Sequence, residues 1–305
     1  MTGKNSLFFP KRTLTIRGRI HALERPLIMA ILNVTPDSFY RPDAALVAQD
    51  SPAAWVDRAG VLLEQGADWL DIGGMSTRPG AEIVAAEEEL LRVLPVLEAL
   101  VRAFPDAVFS IDTVYAHTAR VCLEAGAGII NDVSAGQLDP ELWSVAAASG
   151  APYVLMHHKG IPANKDNDDV AHIGLEVYDW MQSKLMACRQ AGIRDVLVDP
   201  GFGFGKSLAD NFRLLASLDA FRALDAPLLV GVSRKSIICR TLEVPAAEAL
   251  NGTSVINTLA LLQGAAVLRV HDPLEARQVL TLVGAYHRGL ESNRLSPEEK
   301  PAFRP

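Results

Sequence analysis

The sequence predicts an α/β protein of the (β/α)8 class, a TIM barrel with an N-terminal β-hairpin closing the bottom of the barrel. Eight short apolar runs of strand length alternate with segments of helical periodicity along most of the chain. That alternation is typical of parallel strands joined by helices. A doubly wound open sheet is the alternative, but no strong dinucleotide-binding fingerprint follows the first strand, which favours the closed barrel.

The predicted strands are short, apolar and without polar alternation, as expected for parallel strands that are buried on both faces. They are Leu27–Val34, Trp69–Gly73, Val108–Asp112, Ile129–Val133, Tyr153–His157, Val196–Asp199, Leu228–Val232 and Val267–His271. Helical periodicity fills the intervals. The predicted helices are Ala53–Gln65, Ala86–Ala103, Ala116–Ala125, Pro140–Ser149, Ile173–Gln190, Ala209–Arg222, Leu250–Gln263 and Leu274–Arg288.

The chain ahead of the first barrel strand predicts a small hairpin and no separate domain. Residues Thr13 to Ala22 alternate in polarity, with Gly18 at the expected turn. No linker or low-complexity segment interrupts the rest of the chain. We therefore expect one domain over residues 13–290, with flexible termini at 1–12 and 291–305.

Composition excludes several classes of function. Apolar residues make up 49% of the 305 residues and charged residues 21%, which is enough for a large core. The net charge of −7 argues against general binding to nucleic acid or to an anionic membrane surface. No apolar stretch reaches transmembrane length. The three cysteines are odd in number and widely spaced, so we expect no disulfide framework and place the protein in the cytoplasm.

Polar residues stand at the ends of these apolar strands, where burial gives them no structural purpose. In a (β/α)8 barrel the carboxyl ends of all the strands meet at one rim, where active sites are built. One such residue alone is typical of a helix N-cap, but their recurrence at every strand is not. The set comprises Asn33, Asp71, Asp112, Asn131 with Asp132, His157, Asp199, Ser233 with Arg234 and Lys235, and Arg269 with His271.

The chemistry of these strand-end residues divides into two groups. Asp112, Asn131 and Asp199 offer acceptors and an amide, which suit a flat, nitrogen-rich ring with several N–H donors. The second group offers cationic donors, which suit phosphate or carboxylate. Its members are Arg78, Lys235, Arg269 and His271. A site containing both groups would bind a polar ring at one end and an anion at the other.

The glycine-rich run from Asp199 to Ser207 matches neither of two familiar nucleotide motifs. A P-loop needs four residues between its first glycine and Gly-Lys-Ser, and here Gly201 and Gly205 enclose only three. A G-x-G-x-x-G match fails because Lys206 occupies the last position. The glycines permit close backbone approach, and Phe202 or Phe204 is expected to face a planar ligand.

Taken in order, the strand-end motifs resemble dihydropteroate synthase over roughly residues 13–290. They are N-V-T-P-D-S-F at 33–39, S-T-R-P-G at 76–80, S-I-D-T at 110–113, N-D at 131–132, M-H at 156–157, D-P-G-F-G-F-G-K at 199–206, S-R-K-S at 233–236 and R-V-H at 269–271. The resemblance implies condensation of 6-hydroxymethyl-7,8-dihydropterin pyrophosphate with p-aminobenzoate on the route to folate. It also implies Mg2+, a homodimer and a sulfonamide target.

The resemblance also implies roles for individual residues. Those that would hold the pterin are Asp112, Asn131, Asp199 and Lys235, and Met156 would also contact substrate. Those that would surround the pyrophosphate are Asn33, Thr77, Arg78, Arg269 and His271, with Asn33 also a ligand of Mg2+. Those that would form the p-aminobenzoate pocket are Thr77, Pro79, Phe204, Lys235 and Ser236. Lys235, Arg269, His271, Asp112 and Asp199 are the implied catalytic residues.

The chain departs from the family pattern at three loops. Tyr40–Asp43 replaces the usual Ser-Asp-Gly-Gly, Met75 stands where Glu is frequent, and His158–Gly160 replaces Met-Gln-Gly. Two alternatives to the synthase remain at this point. One is a corrinoid-type pterin-binding methyltransferase module, which has no use for the pyrophosphate cations. The other is a catalytically inactive paralogue that only binds pterin or a partner.

Overall fold

A computed structural model describes residues 13–35, 51–75, 84–160 and 170–294. The strands are β1 (Thr13–Ile16), β2 (Arg19–Ala22), β3 (Leu27–Asn33), β4 (Trp69–Gly73), β5 (Val108–Asp112), β6 (Ile129–Asp132), β7 (Tyr153–Met156), β8 (Val196–Asp199), β9 (Leu229–Val230) and β10 (Val267–Val270). The helices are α1 (Pro52–Glu64), α2 (Ala86–Ala103), α3 (Ala116–Glu124), α4 (Glu141–Ser149), α5 (Ile173–Gln190), α6 (Leu208–Ala216), α7 (Ser236–Leu242), α8 (Leu250–Leu262) and α9 (Pro273–Arg294).

The predicted TIM barrel is confirmed. Eight parallel strands pair in the order β8-β7-β6-β5-β4-β3-β10-β9. A parallel bridge between Val198 and Leu228 joins the two ends of this sheet and closes the barrel. Strands and helices alternate along the chain, so the helices form an outer layer around the strands.

The helical prediction was wrong at two places after β8. The segment expected to form one helix, Ala209–Arg222, is α6 followed by a separate 3-10 helix, Leu218–Leu224, which ends at Asp225 with φ +49°. Helix α7 was not predicted at all. It has only seven residues and no side-chain N-cap, so neither periodicity nor a capping residue marked it.

The N-terminal hairpin closes the bottom of the barrel, as predicted. Its turn is made by Arg17 and Gly18, both with positive φ, which matches the twist of a tight two-residue hairpin. Leu14 and Ile16 are buried in one cluster with the first inward-facing residues of the barrel strands. The backbone N–H of Thr15 donates to the Asp195 carboxylate at 2.6 Å, which fixes the hairpin to the start of β8.

The alternation of side chains along each strand separates the barrel interior from the surrounding layer. Leu70 and Ile72 of β4 pack outward in the apolar layer beneath the helices. Trp69 faces inward in the apolar cluster above the hairpin plug. Polar side chains therefore occupy the interior only above this lowest layer.

Helix α9 extends to Arg294, into the segment expected to be a flexible tail. Residues 1–12 and 295–305, where the rest of that expectation falls, lie outside the described residues. The single-domain boundary at 13–290 stays a prediction. No helix in the described part of the chain has both the length and the apolar character needed to cross a membrane.

Candidate active site

Strand alternation decides which of the predicted residues enter the barrel. Ion pairs join strands that are not neighbours in the sheet, and such contacts are made across the interior. Arg269 of β10 contacts Asp112 of β5 in this way, and Asn131 of β6 contacts Asp71 of β4. The interior therefore brings together predicted residues from separate strands.

Two strand-end residues face the helix layer instead, contrary to the prediction that all of them meet at the rim. Asp132 accepts a hydrogen bond from the Tyr153 hydroxyl at 2.5 Å. The ring of His157 packs edge-on against Trp180 of α5. Each directly follows an inward-facing residue, Asn131 or Met156, so the two-residue period of a strand turns it outward.

Arg269 lies between two buried carboxylates. Its Nε donates to Asp71 Oδ2 at 2.6 Å and its Nη2 donates to Asp112 Oδ2 at 2.6 Å. Asp71 Oδ2 also accepts from the Asn131 amide at 2.9 Å. One guanidinium thus connects residues that the sequence assigned to opposite ends of the ligand.

This pairing perturbs both partners. Burial alone would lower the pKa of Arg269, but Asp71 and Asp112 outweigh it and raise the pKa above its ordinary value. Burial raises the pKa of Asp112 to about 7, and Arg269 only partly opposes that rise. Two buried carboxylates thus share one cation in the deep part of the site.

The glycine-rich loop folds around Asp199 and the Lys235 ammonium. Asp199 Oδ1 accepts from the Gly201 N–H at 2.8 Å, and Lys235 Nζ donates to the Phe202 carbonyl at 2.9 Å. Lys235 Nζ also lies 4.7 Å from the centre of the Phe204 ring, in a cation–π contact. Burial lowers the pKa of Lys235 to about 8, although Asp199 opposes that shift.

Position 201 requires glycine on two counts. Its φ is +69°, and an added Cβ would lie 1.8 Å from the His157 carbonyl oxygen. The loop backbone therefore passes so close to the end of β7 that any side chain at position 201 would clash with it. Phe202 or Phe204 was expected to face a planar ligand, and because Phe202 is fully buried in the main core, Phe204 is the one that can. Phe204 is only partly buried at the rim.

Lys206 holds this loop from below. Its ammonium donates to the Gly201 carbonyl at 2.7 Å, and the His157 and Phe204 carbonyls are each 3.4 Å away. Burial lowers the pKa of Lys206 to about 7, with Asp199 opposing that shift. Asn211 of α6 supports the loop as well, since its Oδ1 accepts from Gly203 N–H at 2.8 Å.

A small apolar cluster lines the rim above the polar interior. It contains Met75, Val114, Val133 and Met156, with Phe204 packed against it. Met75, one of the departures from the family pattern, is thus buried against two predicted substrate contacts. Such a cluster offers a flat ligand an apolar contact surface next to polar groups.

The remaining predicted residues lie at the mouth. His271 is exposed, and its Nδ1 is 3.0 Å from the Ser233 hydroxyl. Ser236 is also exposed, at the start of α7. Asn33, partly buried, ends β3, and its Oδ1 faces the open position above Gly73. Thr77, Arg78 and Pro79 lie outside the described residues, as do Tyr40–Asp43.

The site depends on three residues that were not selected from the sequence. The sequence predicts Asp71 as a strand-end residue without a role and assigns no role to Lys206 or Asn211. For Asp71 the strand pattern contains a signal. It stands two residues before Gly73 on β4, so it faces the same side as the strand end, and the apolar residues beside it in the strand cannot satisfy a buried carboxylate.

The geometry of the described residues supports binding and electrostatic chemistry. Carboxylates and an amide lie deep in the barrel, with Arg269 between two of the carboxylates and Lys235 at the glycine-rich loop. Arg234 points away, to the Asp272 carboxylate and the carbonyls of Ala246 and Ala247. In the described part of the chain, no group of three His, Cys, Asp or Glu side chains could hold a metal ion.

Comparison with known proteins identifies the family. Residues 29–271 match the family model described as pterin binding enzyme. The dihydropteroate synthase of Escherichia coli strain K12 is 41% identical over 287 residues, which is 92% of this chain and 99% of that protein.

Two solved structures are similar over nearly the whole fold. A Yersinia pestis dihydropteroate synthase in complex with a sulfonamide drug has a TM-score of 0.83 and 40% identity, covering 90% of this chain and 99% of that one. A Xanthomonas albilineans dihydropteroate synthase with 4-aminobenzoic acid has a TM-score of 0.82 and 40% identity, covering 90% and 98%. The chain therefore belongs to the pterin-binding enzyme family and, within it, to the dihydropteroate synthases.

Proposed function

We propose that this protein is a dihydropteroate synthase. It joins 6-hydroxymethyl-7,8-dihydropterin pyrophosphate to p-aminobenzoate and releases 7,8-dihydropteroate and pyrophosphate, a step of folate synthesis. The observation that carries this proposal is the convergence of Asp112, Asn131, Asp199, Lys235 and Arg269 inside one barrel. Five residues from five βα units combine carboxylates and an amide that suit the ring with cations that suit the anion.

The deep residues bind the pterin ring. Asp199 accepts hydrogen bonds from ring N–H groups, because its Oδ1 is already held by Gly201 and its carboxylate orientation is fixed. Asn131 offers both an acceptor and donors to the ring edge, and Met156 contacts its face. Binding a ring rich in N–H donors satisfies carboxylates that burial leaves poorly solvated.

The cations stabilise the leaving group. The C–O bond between the pterin methylene and the bridging pyrophosphate oxygen breaks, and pyrophosphate keeps the electron pair. Arg269, together with Arg78 from outside the described residues, donates to the phosphate oxygens as their charge grows. His271 donates as a neutral imidazole, because burial lowers its pKa to about 4. The Asp112 carboxylate favours the methylene cation that remains on the ring.

The amine of p-aminobenzoate then attacks this carbon from the rim. A C–N bond forms and the nitrogen loses one proton to solvent or pyrophosphate. We assign Phe204, Lys235 and Ser236 to the p-aminobenzoate pocket, with Thr77 and Pro79. The Lys235 ammonium, in its cation–π contact with the Phe204 ring, places a cation beside a flat aromatic surface. Sulfonamides, which share this shape, are expected to bind there.

Magnesium fits the site through Asn33. Mg2+ prefers oxygen ligands and commonly takes only one or two from protein, with the rest from substrate phosphates and water. The Asn33 Oδ1 is such a ligand at the end of β3, and the missing side chain of Gly73 leaves room beside it. When bound, the ion would neutralise charge on the departing pyrophosphate. Asn33→Ala should then raise the Mg2+ concentration required for half-maximal rate.

Turnover is the test of the proposed function. Purified protein is incubated with both substrates and Mg2+, and 7,8-dihydropteroate is measured by mass spectrometry alongside released pyrophosphate. Product and pyrophosphate in equal amounts support the synthase. Tight pterin binding without product would support an inactive paralogue. Methyl transfer from a methylated pterin to a corrinoid would support the methyltransferase module.

We also propose a homodimer. The faces of α8 and α9 present exposed apolar side chains at helical spacing. They are Val255, Leu259 and Leu262 of α8, and Leu282 and Tyr286 of α9. These helices are neighbours, so the residues form one surface suited to a second copy of the chain. Light scattering should give twice the chain mass, and Leu259→Glu with Leu282→Glu should give a monomer.

We place the enzyme in the cytoplasm on the strength of its thiols. Cys122, Cys188 and Cys239 are all free, and the first two are buried. Burial raises the pKa of Cys122 and of Cys188 to about 12, so neither thiol is reactive. Free, inert thiols are typical of a reducing compartment. Cell fractionation with an antibody to the native protein tests this assignment.

A further inference from the structure

We propose that Asp71 is a positioning residue of this site, holding the Arg269 guanidinium and the Asn131 amide in the orientation that binds the pterin diphosphate. The inference rests on the proposed function and deepens it. Asp71 lies on β4, one layer below the residues assigned to substrate. The strand register aligns Gly73 with Asp112 and Asp112 with Asn131, and Asp71 stands two residues before Gly73.

One oxygen of Asp71 makes both contacts. Oδ2 accepts from Arg269 Nε at 2.6 Å and from Asn131 Nδ2 at 2.9 Å. The Arg269 bond is made through Nε, which is the fixed root of the guanidinium. With Nε held below and Nη2 bound to Asp112 above, the plane of the guanidinium is determined.

Packing gives no reason for a carboxylate at this position. Asp71 is fully buried, and its second oxygen, Oδ1, has no hydrogen-bond partner among the described residues. A buried ion pair is commonly no more stable than apolar side chains of similar volume. A carboxylate that costs desolvation and leaves one oxygen unsatisfied is therefore explained by what it orients.

The charge of Asp71 also acts on Asp112. Burial raises the pKa of Asp112, and the carboxylates of Asp71, Glu89 and Asp132 raise it further. Arg269 opposes this rise, and the Lys235 ammonium also faces the group. Neutralising Asp71 removes one source of the rise and leaves Arg269 to Asp112 alone. The pKa of Asp112 must then fall.

Asp71→Asn and a matched control test the inference. The amide keeps the shape and one acceptor but removes the charge, so the fold is expected to survive. The control is Asp68→Asn, in the same chain segment but at the bottom of the barrel. Asp68 also pairs with two arginines, Arg25 at 2.6 Å and Arg277 at 2.8 Å. Melting temperatures of both variants establish that they are folded.

Two kinetic results are expected for Asp71→Asn. The kcat/KM for pterin pyrophosphate falls about 10–100-fold while KM for p-aminobenzoate changes less than about threefold, as for other orienting partners of site residues. The acid limb of the pH profile moves to lower pH, because Asp112 ionises more easily. Asp68→Asn should change neither quantity. An unmoved acid limb, or equal losses for both substrates, would overturn the inference.

A double-mutant cycle measured by calorimetry tests the same contact without turnover. On an Arg269→Ala background, Asp71→Asn should weaken the affinity for pterin pyrophosphate by a smaller factor than it does in the wild type, since only the contact with the Asn131 amide is left. An undiminished effect on that background would refute action through Arg269. If the wild type binds pterin pyrophosphate but makes no dihydropteroate, the proposed function fails while this cycle still decides the role of Asp71.

Discussion

Replacing Asp199 by asparagine alters the floor of the ring-binding site with almost no change of shape. In the structure Asp199 Oδ1 accepts from the Gly201 N–H at 2.8 Å. The side chain is 5% exposed, so what remains of its surface faces the cavity. The amide oxygen will keep accepting from the Gly201 N–H, because the flipped amide would place its NH2 group against that N–H, donor against donor. Its NH2 group must then face the ligand.

The size of the effect follows from the bonds lost. A carboxylate oxygen that accepts from ring N–H groups makes charge-assisted bonds, each worth about 1.5–3 kcal/mol. Presenting a donor to those donors loses the bonds, so we expect pterin affinity to weaken by about 2–4 kcal/mol. At 1.36 kcal/mol per decade this corresponds to roughly 30- to 900-fold in Kd.

The same change moves the pH dependence of the rate. Burial lowers the pKa of Lys235 to about 8, and the Asp199 charge keeps it from falling further. Without that charge the ammonium deprotonates at lower pH. The alkaline limb of the kcat/KM profile should therefore shift below its wild-type position.

Isothermal titration with 6-hydroxymethylpterin measures the affinity directly. Asp195→Asn is the matched control, since Asp195 precedes the same strand at the opposite end and accepts from the Thr15 N–H. It should leave pterin affinity unchanged. Affinity of Asp199→Asn within about threefold of wild type, against the 30-fold minimum above, would mean that Asp199 does not face the ring.

Three further predictions concern separate parts of the barrel. Arg269→Ala should weaken the affinity for pterin pyrophosphate at least about tenfold more than the affinity for the pterin alcohol, because it removes a hydrogen-bond donor to the phosphate. Titration with both ligands checks this, and equal losses of affinity contradict it. Lys206→Met should raise KM for p-aminobenzoate about tenfold by releasing the loop that carries Phe204. Steady-state kinetics measure it, and an unaltered KM would refute the loop-holding role. Ile16→Ala should lower the free energy of unfolding by about 2–5 kcal/mol in urea, since Ile16 is 1% exposed inside the plug; a loss below about 0.5 kcal/mol contradicts the plug.

The sequence was sufficient for the barrel because the strands of a closed parallel sheet are apolar on both faces. Val108–Asp112 and Val196–Asp199 were predicted to the residue. The predicted ends of the neighbouring strands, at Val133 and His157, ran one residue too far, because apolar or aromatic character continues past the last ladder hydrogen bond. Helix α7 was not predicted because a helix of seven residues has too few turns to show helical periodicity.

Which strand-end residues enter the cavity was only half predictable. The residues Asn131 and Asp132 are consecutive on one strand, so period two places one of them inside and the other among the helices. The outward residue could have been recognised by that rule. The pairing of Arg269 with Asp71 could not, since 198 positions separate them and they meet only because β10 and β4 both pair with β3.

The interior of this barrel explains why its polar residues are mutually dependent. Asp71 and Asp112 share the single guanidinium of Arg269, while Asp199 lies between the ammonium groups of Lys235 and Lys206, whose pKa values it raises. Removing Arg269 leaves two buried carboxylates without their shared partner, which costs more than the pair contributes. A ligand with N–H donors on its ring and negative charge on its tail satisfies both halves at once. The buried charges of the ligand-free site are therefore incompletely satisfied, and substrate supplies the missing hydrogen bonds and counter-charges. The free energy gained in this way is available for binding and for departure of the pyrophosphate.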